Sequence, residues 1–246
     1  MSLVPCPLSF VLSVLITQKM FWYNGKLIEK NDIILEINDP GLIYGATVFT
    51  TMRIYQQSLN HPLTQWPAHQ KRLKSSIKKF NWIEPNWHKI KQGIDALISL
   101  FPVLRIVVFA DGREWIVGRF LPENLTEKQQ QGITGWLATE SLYHRSLAEY
   151  KTGNYLGAWL ALQQAKKLSA NEAILRDYQD NWLETSTGNL WGWKNGSWFT
   201  PPLEVGILPG IIKPELLIKA IKDEKENNWS IIDKSLLIRI HQDCLM

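Results

Sequence analysis

Metal-ligand patterns are missing from this chain. Its five histidines are scattered, with no HxxxH or HExxH spacing, and its two cysteines, Cys6 and Cys244, stand near opposite ends of the 246 residues. No disulfide framework and no metal site is expected, and a reducing cytoplasm is the default compartment. Spanning apolar segments are missing too. The run at 10–16 is apolar but far short of the ~20 residues that cross a bilayer. No basic residue precedes it and no small-x-small site follows it, so it is a poor secretory signal. Charge of one sign is never concentrated: Lys+Arg 27 and Asp+Glu 23 are interspersed, for a net charge of +4. That excludes a basic nucleic-acid stripe and leaves small molecules as the expected partners, with a weak preference for anionic ones. No internal repeat is found.

What is present is a globular composition, 45% hydrophobic and 20% charged, able to bury a core. Twelve tryptophans are many, and Trp182, Trp191, Trp193 and Trp198 crowd one region, where they are expected to fill core and subunit interfaces. Residues 1–19 are expected to be an extra segment, disordered or a mis-annotated start, with Met20 the functional beginning. From Met20 the pattern reads strand, Asn24-Gly25 turn, strand. A strand is expected at 48–55, helices at 68–80 and 87–101, and a hairpin around Asp111-Gly112. The polar stretch 122–132 is the expected linker. A strand at 133–138, a helix at 158–168, a strand at 172–177, a hairpin around Asn195-Gly196 and a helix at 214–224 follow. Hairpins and helices in this alternation predict an α+β fold. It has two subdomains of mixed or antiparallel sheet around a cleft: 20–121, and 133–246 after the linker.

Lys151 draws the eye. Its nearest charged neighbour is Glu149, and none follows until Lys166. A lysine in a partly desolvated pocket loses proton affinity and becomes a nucleophile able to form a Schiff base. Arg72 shares a helix face with His69 and is either an exposed charge or an anion clamp. Gly41 and Gly45 flank Tyr44, and Gly210 precedes the expected helix at 214–224, a terminus suited to phosphate.

Laid out in order, these segments resemble the fold-type IV pyridoxal-phosphate (PLP) enzymes, the class IV aminotransferase family. The motifs are Tyr44-Gly45 before the Phe49 strand, His69-x-x-Arg72-Leu73, Lys151-x-x-Asn154-Tyr155-Leu156, Glu172-Ala173-Ile174-Leu175, Glu184-x-Ser186-x-x-Asn189-Leu190, and Gly206-Ile207-Leu208-Pro209-Gly210-Ile211. The resemblance implies PLP in the cleft between the subdomains and a homodimer. It implies Lys151 as Schiff-base lysine and proton shuttle, Glu184 on the pyridine nitrogen, and Arg72 with the backbone amides of Ile211 and Ile212 on the phosphate. Ser186, Thr187 and Asn189 would add cofactor contacts, and Tyr44, Arg145 and Arg105 substrate contacts.

Within the family, Phe49-Thr50-Thr51 and Ile212 are similar to aminodeoxychorismate lyases of cyanobacterial type. Branched-chain and D-amino-acid aminotransferases usually show Phe-Glu and a threonine there. The implied reaction gives 4-aminobenzoate and pyruvate for folate biosynthesis, with Thr50 or Thr51 orienting the leaving group or a water. A class IV aminotransferase is the alternative. A third reading, a truncated and inactive PLP-fold relic, rests on residues 235–246, which do not match the family's closing strand and loop.

Overall fold

The computed structural model describes residues 20–194, 197–211 and 237–240. The expectations for 1–19, for the Asn195-Gly196 turn, for Ile212 and for the helix at 214–224 lie outside them. Contacts divide the chain into two units. One holds the described residues up to Trp66 together with Gln70–Phe120; the other holds Pro67–His69 and the described residues from Leu121 onward.

The first unit is a five-stranded antiparallel sheet with helices on one face. Its strands are β1 (Phe21–Tyr23), β2 (Lys26–Ile28), β3 (Thr47–Arg53), β4 (Val103–Phe109) and β5 (Glu114–Arg119), in the order β2-β1-β5-β4-β3. Asn24 and Gly25 both take positive φ, 45° and 81°, as a two-residue hairpin turn demands. A short helix, α1 (Pro40–Ile43), starts where Asp39 accepts the Gly41 N–H at 2.7 Å. Helices α2 (Trp66–Lys79) and α3 (Trp87–Leu97) follow. Asn86 caps α3 by accepting from the His88 and Lys89 N–H groups, which fixes its start.

Strand period two then sorts the side chains. Val48, Met52, Leu104, Ile106 and Ile116 point to one face and close a core with Leu73, Ile77, Ile90 and Ile94 of the helices. The intervening residues of β3, β4 and β5 point to the other face, so neighbouring positions in one strand do different work.

The second unit takes in the whole of the expected linker, where Leu125–Gln131 is a helix, α4. After β6 (Gly135–Leu137) and a 3₁₀ turn at Ser141–Tyr143 comes α5 (Leu156–Lys167). Then come β7 (Glu172–Arg176), β8 (Trp182–Thr185), β9 (Leu190–Lys194), β10 (Ser197–Phe199) and β11 (Leu237–Ile240). Strands β6, β7 and β8 form a mixed sheet, β6 parallel to β7 and β8 antiparallel to it. Strands β10, β9 and β11 form an antiparallel one. The architecture is α+β, with antiparallel pairing predominant.

Alanine explains how closely α5 packs: Ala158, Ala161 and Ala165 are all fully buried. Helical spacing puts them on one face, and their small size lets the helix backbone approach the sheet. At Gly157 a Cβ would lie 2.9 Å from the His144 carbonyl oxygen. The first turn of α5 therefore rests directly on the segment that leads into Arg145. Leu237–Ile240 pairs with β9 in register from Leu237↔Trp193 to Ile240↔Leu190.

Candidate active site

In the second unit, three chain segments converge on one polar cluster. Lys151 sits just ahead of α5 and is buried, 7% exposed. Its Nζ donates to the Tyr155 hydroxyl at 3.3 Å and lies 5.1 Å from the centre of that ring. Four residues separate the two, and the start of α5 turns them toward each other. The segment before it delivers Arg145, whose guanidinium carbon lies 4.4 Å from the same ring. Strand β8 delivers Glu184, 4% exposed.

Glu184 Oε1 accepts from the Arg145 guanidinium, and Oε2 accepts the Leu208 N–H at 3.1 Å. Burial pushes the Glu184 carboxyl above its ordinary range, while the positive charges of Arg145 and Lys151 and the Leu208 N–H pull it back. A guanidinium does not give up its proton in a protein, so Arg145 always presents a positive charge to Glu184. Arg145 also donates to the carbonyls of Ala148 at 3.2 Å and Tyr150 at 3.4 Å. Its side chain is committed to Glu184 and to the backbone ahead of Lys151. The structure thus places Arg145, expected to meet a substrate carboxylate, on Glu184 and on the backbone ahead of Lys151.

The loop 206–211 is held from two sides. Leu208 gives its N–H to Glu184 and accepts from Asn189 Nδ2 at 2.8 Å. Gly210 packs against Asn189 so closely that a Cβ would lie 2.3 Å from Oδ1. Asn189 thus shapes the loop that presents the Ile211 amide, a task the sequence motif marked without explaining.

Ser186 and Thr187 behave differently from expectation. Both hydroxyls donate to Glu172, which is fully buried and also accepts the Ala173 N–H at 3.0 Å. Their donors serve an internal carboxylate. Burial pushes the Glu172 carboxyl above the ordinary glutamate range, against the pull of Ser186, Thr187, the Ala173 N–H and Lys166. The sign is definite. A carboxyl whose folded pKa is raised adds stability that is complete below the unfolded value and lost as pH rises through the folded one. Glu172→Gln is expected to flatten that part of the profile. Urea midpoints of wild type, measured upward from about pH 4.5, should fall relative to those of the variant; parallel curves would refute the assignment.

In the first unit, Thr50 and Thr51 point to opposite faces of the sheet. Thr50 is fully buried on the core side and accepts from Arg72 Nη2 at 2.8 Å. Thr51 pairs in register with Arg105 on the other face, and its hydroxyl is buried without a hydrogen-bond partner among the described residues. The Arg105 guanidinium lies 3.6 Å from the Phe49 ring centre. Tyr44 is exposed at the C-terminal end of α1. Among the described residues no group of three or more His, Cys, Asp or Glu could hold a metal, and no helix is long and apolar enough to cross a membrane.

These groups suit PLP. A buried amine is placed for covalent attachment, and a buried carboxylate could hold the pyridine proton. A backbone loop that Gly210 lets pack directly on Asn189 suits the phosphate. Tyr155 is the participant sequence reasoning left without a role; its spacing from Lys151 in the motif was the available signal.

Comparison with known proteins agrees. The family model for amino-transferase class IV matches residues 47–238. The branched-chain-amino-acid aminotransferase of Salmonella typhimurium is 25% identical over 235 residues, covering 82% of this chain and 72% of that protein. The aminodeoxychorismate lyase of Bacillus subtilis is 24% identical over 226 residues, covering 83% and 74%. A solved structure provisionally assigned as a 4-amino-4-deoxychorismate lyase superposes with a TM-score of 0.64 at 26% identity, covering 81% of this chain and 80% of that one. With most of its length matched and the lysine, glutamate and glycine loop in place, the chain belongs to the class IV aminotransferase family, whose cofactor is pyridoxal phosphate.

Proposed function

We propose that the chain is a 4-amino-4-deoxychorismate lyase, forming 4-aminobenzoate and pyruvate. The observation that carries this reading is the Phe49-Thr50-Thr51 run. A fully buried Thr50 engages Arg72, and Thr51 adjoins Arg105 on the opposite face. Branched-chain members of the family usually carry a glutamate in this run. The match to the Bacillus subtilis lyase supports the same reading.

Bound PLP supplies an electron sink for the amine-bearing carbon of the substrate. The protein's part is placement and proton transfer. Lys151 Nζ would take the ring proton whose loss makes the product aromatic. The enolpyruvyl group leaves with the C–O bonding pair and takes up a proton to become pyruvate. Glu184, held by Arg145, would hold the pyridine nitrogen of the cofactor and keep it protonated. Tyr155 holds Lys151 through its hydroxyl.

An aminotransferase is the second reading, favoured by the similarity to branched-chain enzymes. Pyruvate release separates the two. The lyase is expected to form pyruvate and 4-aminobenzoate in equal amounts from 4-amino-4-deoxychorismate, with no amino acceptor added. Release that waits for a 2-oxo acid, or none beside ready transamination of leucine, would reject the lyase.

A further inference from the structure

Both backbone polar groups of Leu208 are held by a single turn. Its N–H goes to Glu184 Oε2 at 3.1 Å, and its carbonyl accepts from Asn189 Nδ2 at 2.8 Å. Glu184 and Asn189 form the base of the turn between β8 and β9, bridged to each other as antiparallel partners. Inside them the turn closes on itself. The Thr185 N–H donates to the Gly188 carbonyl at 2.8 Å, and the Gly188 N–H donates to the Thr185 hydroxyl at 2.8 Å. The carboxylate suited to the pyridine nitrogen and the amide that shapes the phosphate loop are therefore spaced by the same few residues.

Glu172 acts at the tip of that turn. Ser186 and Thr187, both buried, each donate a hydroxyl to a different oxygen of Glu172, which is itself fully buried. The Ser186 N–H donates to the Ala173 carbonyl at 2.9 Å, so the tip is tied to β7 by backbone as well. Burying a carboxylate costs free energy that an apolar side chain of similar size would not. What the carboxylate adds is direction. Two acceptors on one planar group fix two adjacent hydroxyls at once, whereas an apolar contact would let the tip slide. No proton transfer in the reaction calls on Glu172.

We propose that Glu172 is a positioning residue for the cofactor phosphate. It fixes the tip of the turn; the turn fixes the spacing of Glu184 and Asn189; those two fix Leu208, and with it the loop 206–211 that presents the Ile211 amide. The inference rests on PLP as the cofactor and is independent of the choice between lyase and aminotransferase.

Pyridoxal 5'-phosphate and pyridoxal, titrated separately into the full chain freed of cofactor and followed by tryptophan fluorescence, test the proposal. The two share the aldehyde and the ring and differ by the phosphate, so their affinity ratio reports the phosphate cradle alone. Wild type is expected to favour the phosphate ester by about a hundred-fold or more, the effect of two or more charge-assisted hydrogen bonds. Glu172→Met, which removes both acceptors at similar volume, should cut that ratio by about ten-fold, the loss of one such bond, with pyridoxal affinity little changed. Glu172→Gln keeps the reach and can still meet both hydroxyls, so it should restore most of the ratio. In an Asn189→Ala background Glu172→Met should have no further effect, because the path runs through Asn189. Should Glu172→Met not fold, Thr187→Val releases one side of the tip and is expected to lower the same ratio. An unchanged ratio, an equal loss for both ligands, additive effects with Asn189→Ala, or a wild type without preference would overturn the proposal. Pyruvate release by wild type decides the lyase reading separately, whichever way the ratio falls.

Discussion

Lys151→Ala is expected to abolish covalent PLP attachment and to lower turnover by about four orders of magnitude or more, since one group serves as both attachment point and proton carrier. The fold should survive. The native amine makes a hydrogen bond to Tyr155 at 3.3 Å, just ahead of α5. Losing that bond costs about 1 kcal/mol, so the melting temperature should move little. Borohydride reduction followed by intact mass is the direct check. Wild type should gain one cofactor per chain and the variant none. Lys151→Arg is the sharper control, keeping a positive charge near Glu184 while removing the nucleophile. Trapped cofactor on either variant would remove the basis for every step assigned to Lys151.

How far the sequence carried the argument depended on whether a feature was local. The Asn24-Gly25 hairpin, the helix after Lys151 and strand β3 were legible because turn chemistry and periodicity are written in adjacent residues. So was the lysine itself, isolated among uncharged neighbours. Pairing between distant segments was not legible. Nothing near Arg145 announces Glu184, 39 residues away, and an arginine beside a candidate site suggests a substrate anion first. The partner of Ser186 and Thr187 was hidden for the same reason. Their hydroxyls suit a phosphate, but folding turns them onto Glu172, and only the alignment of β7 with the turn after β8 reveals it. Thr50 and Thr51 are adjacent in sequence and were weighed as alternatives, yet strand geometry forbids them one environment. Helix α4 lies within the expected linker: a polar run rich in glutamine reads as spacer, yet glutamine is a good helix former.

Arg145→Met should be the most destabilising single change in the second unit, by about 3–5 kcal/mol, because it strands a buried carboxylate without its cation. The side chains of Arg145 and Glu184 are only 5% and 6% exposed, so water cannot replace the lost partner. Size is not the issue, since methionine fills much of the arginine stem's volume. The double variant Arg145→Met, Glu184→Met separates the causes. If the stranded charge is responsible, removing it as well should recover most of the loss, whereas a packing defect would persist. The pH dependence points the same way. Burial already raises the Glu184 pKa, and without Arg145 it rises further. Stability from a raised carboxyl is complete below its unfolded value and drains away as pH climbs through the folded one. The gap between Arg145→Met and wild type should therefore be small near pH 4, where Glu184 is protonated in the variant, and widen steadily toward neutrality. Melting curves across that range decide it: a gap constant with pH would mean Arg145 acts through its contacts with Ala148, Tyr150 and the Tyr155 ring, and that Glu184 is held at the site by Leu208 alone.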